Sequence, residues 1–282
     1  MTQHEPSVPA VSPSPQDAYP PTEVARLVEQ VGVKKATLPA LQTIALGLLA
    51  GAFIAFGALY YTVVVTNAGL GFGPSRMVGG VAFSLGLILV VVGGAELFTG
   101  NNLIVMAWAE RKITTAQLLR NWWLVYLANL VGALGTAVMV HWSDTLALAD
   151  GAVGQSAIRI AEAKVGLAFG EAFFRGVLCN VLVCLAVWLC FAAHDVASKI
   201  LAIVFPISAF VALGFEHSVA NMYLVPVAWL SGAETITWSG FVRNLVPVTL
   251  GNITGGGLFV AAVYWMIYLR KPSATTAAGA EN

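Results

Sequence analysis

Residues 94–101 read G-A-E-L-F-T-G-N and residues 214–221 read G-F-E-H-S-V-A-N, so G-x-E-x4-N occurs twice at an offset of 120. Each copy lies in an apolar stretch too long for one straight membrane helix, Met77 to Ala109 and Ile200 to Ala233, with a glutamate near its middle. A second pattern follows each copy. Arg120-Asn121 leads to Asn129 and Gly132, and Arg243-Asn244 leads to Asn252 and Gly255, both R-N-x7-N-x2-G at an offset of 123. Two patterns in the same order and at nearly one offset point to an internal duplication. Its most informative parts are the interruptions, because irregular backbone at membrane depth is tolerated only where protein buries it or a cavity receives it.

Composition supports a membrane setting. Of 282 residues, 58% are hydrophobic and 10% charged, against about 25% charged in soluble domains. That excludes an ordinary cytosolic enzyme and a disordered chain. The 14 basic and 14 acidic residues cancel, leaving no bulk field for nucleic acid. Cys179, Cys184 and Cys190 sit in one apolar stretch without a C-x-x-C spacing, and read as small buried hydrophobes. No metal and no cofactor is expected.

Charge-free runs between Lys35 and Arg76, Arg120 and Asp144, and Arg243 and Arg270 each exceed the roughly 20 residues of one crossing. A fourth span runs from about Val165 to Ala193, and the two interrupted stretches add spans two and five. The expected fold is an all-α membrane protein with six transmembrane helices over residues 37–270 and helices 2 and 5 broken. Three crossings per half make the repeat inverted, so the breaks should face each other near the midplane. Helix halves restarting there would aim backbone N–H groups at the centre, which favours a small anion. Glu171 and Arg175, four residues apart, are placed to pair on one helix face.

Six crossings put nine Lys or Arg residues on the side of the termini, including Arg26, Lys34, Lys35, Arg111 and Lys112, against Arg76, Arg159, Lys164 and Arg243. This predicts both termini in the cytoplasm. Residues 1–21 hold six of the 12 prolines and read as a disordered tail with no signal peptide. Val24, Leu27, Val28 and Val31 then mark an amphipathic cytoplasmic helix over 22–36, and residues 271–282 form a polar cytoplasmic tail.

Four stretches carry a family resemblance: L-F-T-G-N at 97–101, L-C-N-V-L-V-C-L-A-V-W at 178–188, G-F-E-H-S-V-A-N-M at 214–222 and N-L-V-P-V-T-L-G-N-I-T-G-G-G at 244–257. The chain resembles the formate–nitrite transporter family from about Gly32 to Arg270. That resemblance implies an aquaporin-like inverted 3+3 protomer, without the aquaporin Asn-Pro-Ala motifs, assembled as a homopentamer in the bacterial inner membrane with one pore per protomer. It implies small monovalent anions of weak acids as substrates, formate first, with nitrite or hydrosulfide as the alternative. Thr99 and His217 would face each other from the two breaks, with Asn180 nearby and Lys164 drawing anions into the outer vestibule. Phe83 and Phe210 would form the outer constriction, and Leu87, Leu97 and Phe98 the inner one. Glu216 would be structural, as would its pattern partners Glu96, Asn101 and Asn221.

His217 is the one histidine of the apolar interior, and imidazole titrates near neutrality when unperturbed. It could hydrogen-bond the anion or hand it a proton. A membrane redox protein would need facing histidines on two spans, and no C-x-x-C-H occurs. The expectation is transport, not an enzyme.

Overall fold

The uncharged runs become long helices, and the helices stop where glycine allows a turn. The computed structural model describes residues 18–270. The tails expected over 1–21 and 271–282 lie outside the described residues, apart from residues 18–21. Helix α1 (Pro21–Ala36) precedes α2 (Ala40–Val65) and α3 (Phe72–Gly93). A 3-10 turn, Gly100–Ile104, leads into the short α4 (Val105–Ala109), followed by α5 (Thr115–Trp142). The second half holds α6 (Ala152–Val165), α7 (Phe169–Ala192), α8 (Val196–Ala212), α9 (Ser218–Leu230) and α10 (Trp238–Ile253). Helix α10 runs through a π-helical stretch, Thr254–Ala262, into α11 (Val263–Tyr268).

Among the described residues, α2, α3, α5, α7 and the continuous Trp238–Tyr268 are each long and apolar enough to cross a membrane. The shorter apolar α8 and α9 together make one further broken crossing, and α3 with α4 makes the other broken one, giving six crossings. Both breaks turn on a left-handed glycine: Gly94 has φ +81° and Gly214 has φ +73°. Glycine adopts that conformation without the steric cost that other residues meet.

The stretch expected to form a single span from Val165 is two elements. Helix α6 ends at Val165, Gly166 to Ala168 turn the chain, and α7 starts at Phe169. Lys164 therefore belongs to a short amphipathic helix that buries Val153, Ala157 and Ala161. Helix α6 is the counterpart of α1, which buries Val24, Ala25 and Val28 beside Leu103, Ile104 and Met106. Each of the two ends beside a lysine, Lys35 or Lys164, at an offset of 129. The repeat unit is thus a surface helix, a straight span, a broken span and a second straight span. Because three crossings separate α1 from α6, the two surface helices lie on opposite sides.

Within each half the two straight spans touch backbone to backbone. A Cβ on Gly132 would come within 2.1 Å of the Leu48 carbonyl, and one on Gly51 within 2.1 Å of the Asn129 carbonyl. Gly251 and Gly255 stand in the same relation to Phe173 and Val177, at 2.2 Å each. Between apolar helices in lipid, such close approach supplies the attraction that water exclusion supplies elsewhere. Large apolar side chains such as Phe56, Trp123, Met139, Phe174 and Phe205 point outward and are exposed. Gly132→Ala should therefore lower the thermal midpoint of the detergent-purified protein, by the equivalent of about 1–3 kcal/mol of overpacking. Gly135→Ala, where an added Cβ meets nothing within 4 Å, should leave it unchanged or raise it.

Candidate functional site

Two buried carboxylates organise the interior. Glu96 accepts from Lys35 Nζ at 2.8 Å and from Asn101 Nδ2 at 2.7 Å. Asn101 Nδ2 also donates to Asn121 Oδ1, and Asn121 Nδ2 donates to the Lys35 carbonyl. The second half repeats these bonds, although Lys35 Nζ also donates to Asn101 Oδ1 at 2.9 Å and Asn221 Oδ1 receives no such bond. Glu216 accepts from Lys164 Nζ at 2.8 Å and Asn221 Nδ2 at 2.7 Å; Asn221 donates to Asn244 Oδ1, and Asn244 to the Lys164 carbonyl. An isolated carboxylate at this depth would cost several kcal/mol, so each is neutralised by its lysine and saturated by asparagine.

A second matched pair fixes the broken backbone. Asn129 Nδ2 donates to the carbonyls of Gly47 and Glu96, and its Oδ1 accepts from Phe98 N at 2.9 Å. Asn252 Nδ2 donates to the carbonyls of Gly176 and Glu216, and its Oδ1 accepts from Ser218 N at 2.9 Å. The two breaks are therefore held by side chains one span away. This also revises the expectation of free helix N-termini at the centre: the Phe98 and Ser218 amides are already bonded, and His217 takes that of Ala220.

The breaks meet at one contact. Thr99 Oγ1 lies 3.0 Å from His217 Nε2, with both residues buried. His217 Nδ1 accepts the Ala220 amide at 3.1 Å, capping α9. That bond places the hydrogen of a neutral ring on Nε2, which then donates to Thr99 Oγ1. The hydroxyl hydrogen of Thr99 is left to donate to a third group. Behind this pair, Asn180 Nδ2 donates to the carbonyls of Thr99 (3.2 Å) and Asn252 (2.7 Å), joining the first break to α10. Gly256 makes room for it, since a Cβ there would fall 2.4 Å from Asn180 Nδ2.

A cavity opens on each side of the contact. The one on the α6 side, about 300 Å³, is lined by Phe83, Lys164, Phe210, Glu216 and His217. The one on the α1 side, about 290 Å³, is lined by Lys35, Leu87, Glu96, Leu97 and Asn101. Between them the rings of Phe83 and Phe210 meet edge to face at 5.5 Å, and Phe210 stacks on His217 at 6.0 Å. Thr99, Phe98 and Asn180 line neither cavity: Thr99 is buried in the neck between them, Phe98 packs its ring on Tyr126 and Trp122, and Asn180 lies behind Thr99. Lys35 was the feature sequence reasoning missed; its signal was the 129-residue offset to Lys164.

The expected pairing of Glu171 with Arg175 is not formed. Glu171 Oε2 instead accepts the Ala168 amide at the start of α7. Arg175 is exposed, lines the α6-side cavity, and has no hydrogen-bond or ion-pair partner for its side chain among the described residues. An exposed carboxylate at a helix start is better satisfied by an orphan amide than by a guanidinium one turn on.

An inverted repeat with two opposed chambers that meet at a buried polar contact defines a membrane channel or transporter. The family model described as "Formate/nitrite transporter" matches residues 22–266, and the chain belongs to that family. It is a transport protein, not an enzyme. It is 41% identical to "Formate channel FocA" of Escherichia coli (strain K12), over 92% of this chain and 97% of that protein. It is 42% identical to "Probable formate transporter" of Methanothermobacter thermautotrophicus, over 89% and 97%. Among solved structures, one described as "Pentameric formate channel with formate bound" aligns with TM-score 0.77 at 40% identity, covering 82% of this chain and 98% of that one. An "FNT family ion channel" aligns with TM-score 0.81 at 30% identity, covering 89% and 100%.

Removing one member of a buried ion pair strands the other. Lys35→Met should destabilise the protein by about 3–5 kcal/mol, seen as a lowered thermal midpoint. Adding Glu96→Gln should restore most of that loss, because the stranded charge is then gone. If the double variant is no more stable than Lys35→Met alone, the lysine acts through something other than neutralising Glu96.

Proposed function

We propose that the chain conducts formate, and by the same chemistry other small monovalent anions of weak acids such as nitrite, across the bacterial cytoplasmic membrane. Each protomer of a homopentamer would carry its own pore, in line with the descriptions of its relatives. The observation that carries this proposal is the Thr99–His217 contact at the neck between two chambers, each with a lysine on its wall. The cluster of basic residues Arg26, Lys34, Lys35, Arg111 and Lys112 supports reading the α1 side as the cytoplasmic one.

An anion entering the α6-side chamber meets Lys164, then the Phe83 and Phe210 rings. A bare charge cannot pass an apolar ring cheaply, so it must be hydrogen-bonded or protonated there. Thr99 offers its hydroxyl hydrogen while its oxygen accepts from His217, which polarises that O–H toward the anion. To hand the anion a proton, the ring must first take one from solvent at Nδ1, giving up the Ala220 amide and becoming imidazolium. Nε2–H then protonates Thr99 Oγ1 as the hydroxyl hydrogen passes to the anion, and the ring returns to neutrality. The neutral acid then passes Leu87 and Leu97 into the chamber holding Lys35. Asn180 keeps Thr99 at this distance through its backbone carbonyl rather than by touching the anion.

Formate uptake into proteoliposomes tests this function. Thr99→Val and His217→Asn should each lower the flux about tenfold, the scale of a lost charge-assisted hydrogen bond. Flux through the parent protein should rise as pH falls from 8 to 5, and the rise should be absent in His217→Asn. Chloride passing as fast as formate, with Thr99→Val unchanged, would overturn this function.

A further inference from the structure

The scaffold repeats across the two halves, so positions where counterparts differ in chemistry stand out. Offsets of 129 and 120 pair Arg175 with Leu46, Asn180 with Gly51, His217 with Leu97 and Thr99 with Val219. Charged residues also differ elsewhere, Lys199 against Gly79 and Arg159 against Gln30 among them, but three of these four pairs form the central contact and its support. The fourth is Arg175. Its backbone does what that of Leu46 does: Glu216 N donates to the Arg175 carbonyl at 3.2 Å, as Glu96 N does to the Leu46 carbonyl at 3.2 Å. The scaffold uses the main chain of this residue and leaves the guanidinium without a job.

That guanidinium lies on the wall of the α6-side chamber, beside Glu216 and His217 in the same lining. It sits in the second turn of α7, about 9 Å along the axis from the first residue of the helix, level with the second break, whose Glu216 amide donates to the Arg175 carbonyl. Among the ionisable groups on that wall, Lys164 is ion-paired with Glu216. Arg76 donates to the carbonyls of Val211 and Ala212 at the end of α8, and Arg159 donates to Ser156 Oγ. Arg175 alone among these four cations has all its donors uncommitted. Four cations against one carboxylate give this chamber a formal +3, whereas Lys35 and Lys199 against Glu96 give the opposite chamber +1.

We propose that Arg175 is a specificity-determining residue, forming an anion-binding station in the chamber that holds Lys164 and favouring planar anions bearing two oxygens. A guanidinium presents paired parallel N–H donors matched to a carboxylate or nitrite, which an ammonium cannot. Its free charge also raises the local anion concentration, an effect that salt screens. The inference rests on the function proposed above.

The test measures formate uptake into proteoliposomes against formate concentration, at about 20 mM and about 500 mM ionic strength set with sodium chloride, whose anion lacks paired oxygens, where screening lengths are roughly 20 Å and 4 Å. Arg175→Gln, chosen to keep the size and polarity of the site, should raise the half-saturating formate concentration about threefold to tenfold at low salt. It should leave the maximal rate unchanged and converge on the parent at high salt. Arg175→Lys should keep the parent's salt dependence, yet lose several-fold of the preference for formate over bromide as a competing anion. Loss of rate that is equal at both salts would mean a structural role and overturn the inference, as would no change at low salt. An Arg175→Lys protein with unaltered formate preference would overturn the two-oxygen recognition. Absence of formate uptake by the parent protein would instead sink the proposed function, which keeps the two failures distinct.

Discussion

Glu96 and Glu216 are carboxylates inside an apolar bundle, and the rest of the molecule answers the need to neutralise them. Each requires a lysine, and the lysine must come from outside the apolar spans, so a surface helix ends beside each break. Each requires donors for its remaining lone pairs, which places Asn101 and Asn221 one turn after the break. Those asparagines in turn fix Asn121 and Asn244 at the starts of α5 and α10. In this way one buried charge specifies the relative positions of four elements. Such pairs add little net stability against an apolar alternative, but they penalise every arrangement that leaves the charge unpaired.

Symmetry serves the scaffold, and function lies where symmetry fails. Leu97 and His217 occupy equivalent positions, as do Val219 and Thr99, yet the two polar members come from different halves and meet. A perfectly repeated chain would place two histidines or two leucines across the neck. The first would double the polar surface in the narrowest part, and the second would leave a dry plug. Asn180 in place of Gly51 extends the same asymmetry outward, with Gly256 emptied to admit it.

Much of this was legible in the sequence, for reasons that can be located. The spans and breaks show because ionisable residues are costly in lipid and glycine marks the turns. The internal repeat shows at Glu96 and Glu216 and at Asn129 and Asn252 because each of these side chains bonds backbone or a buried partner that no other residue satisfies as well. The first quarter of the repeat was illegible. Between α1–α2 and α6–α7 the scaffold uses carbonyls of Leu46 and Arg175, and a carbonyl imposes no residue type. Lys35 and Lys164 therefore stood with only scattered apolar or glycine identities around them, such as Leu38 with Leu167 and Gly47 with Gly176. Arg175 illustrates the limit from the other direction: helical spacing put Glu171 in reach, but spacing does not reveal that a nearer amide claims the carboxylate. Phe98 was named for the inner constriction through the resemblance alone, and what spacing did not reveal is that its ring packs edge to face on Tyr126 and Trp122.

The unequal charge of the two chambers bears on direction in a limited way. A passive pathway obeys microscopic reversibility, so no arrangement of fixed cations can drive net movement against a gradient. What the surplus on the α6 side changes is occupancy: that chamber fills at lower anion concentration than the one bearing Lys35 and Lys199. Flow from the more positive side therefore saturates early and becomes insensitive to supply. Flow from the other side stays proportional to concentration over a wider range. Such a difference in occupancy would give a direction-dependent dose response with no bias in the energetics.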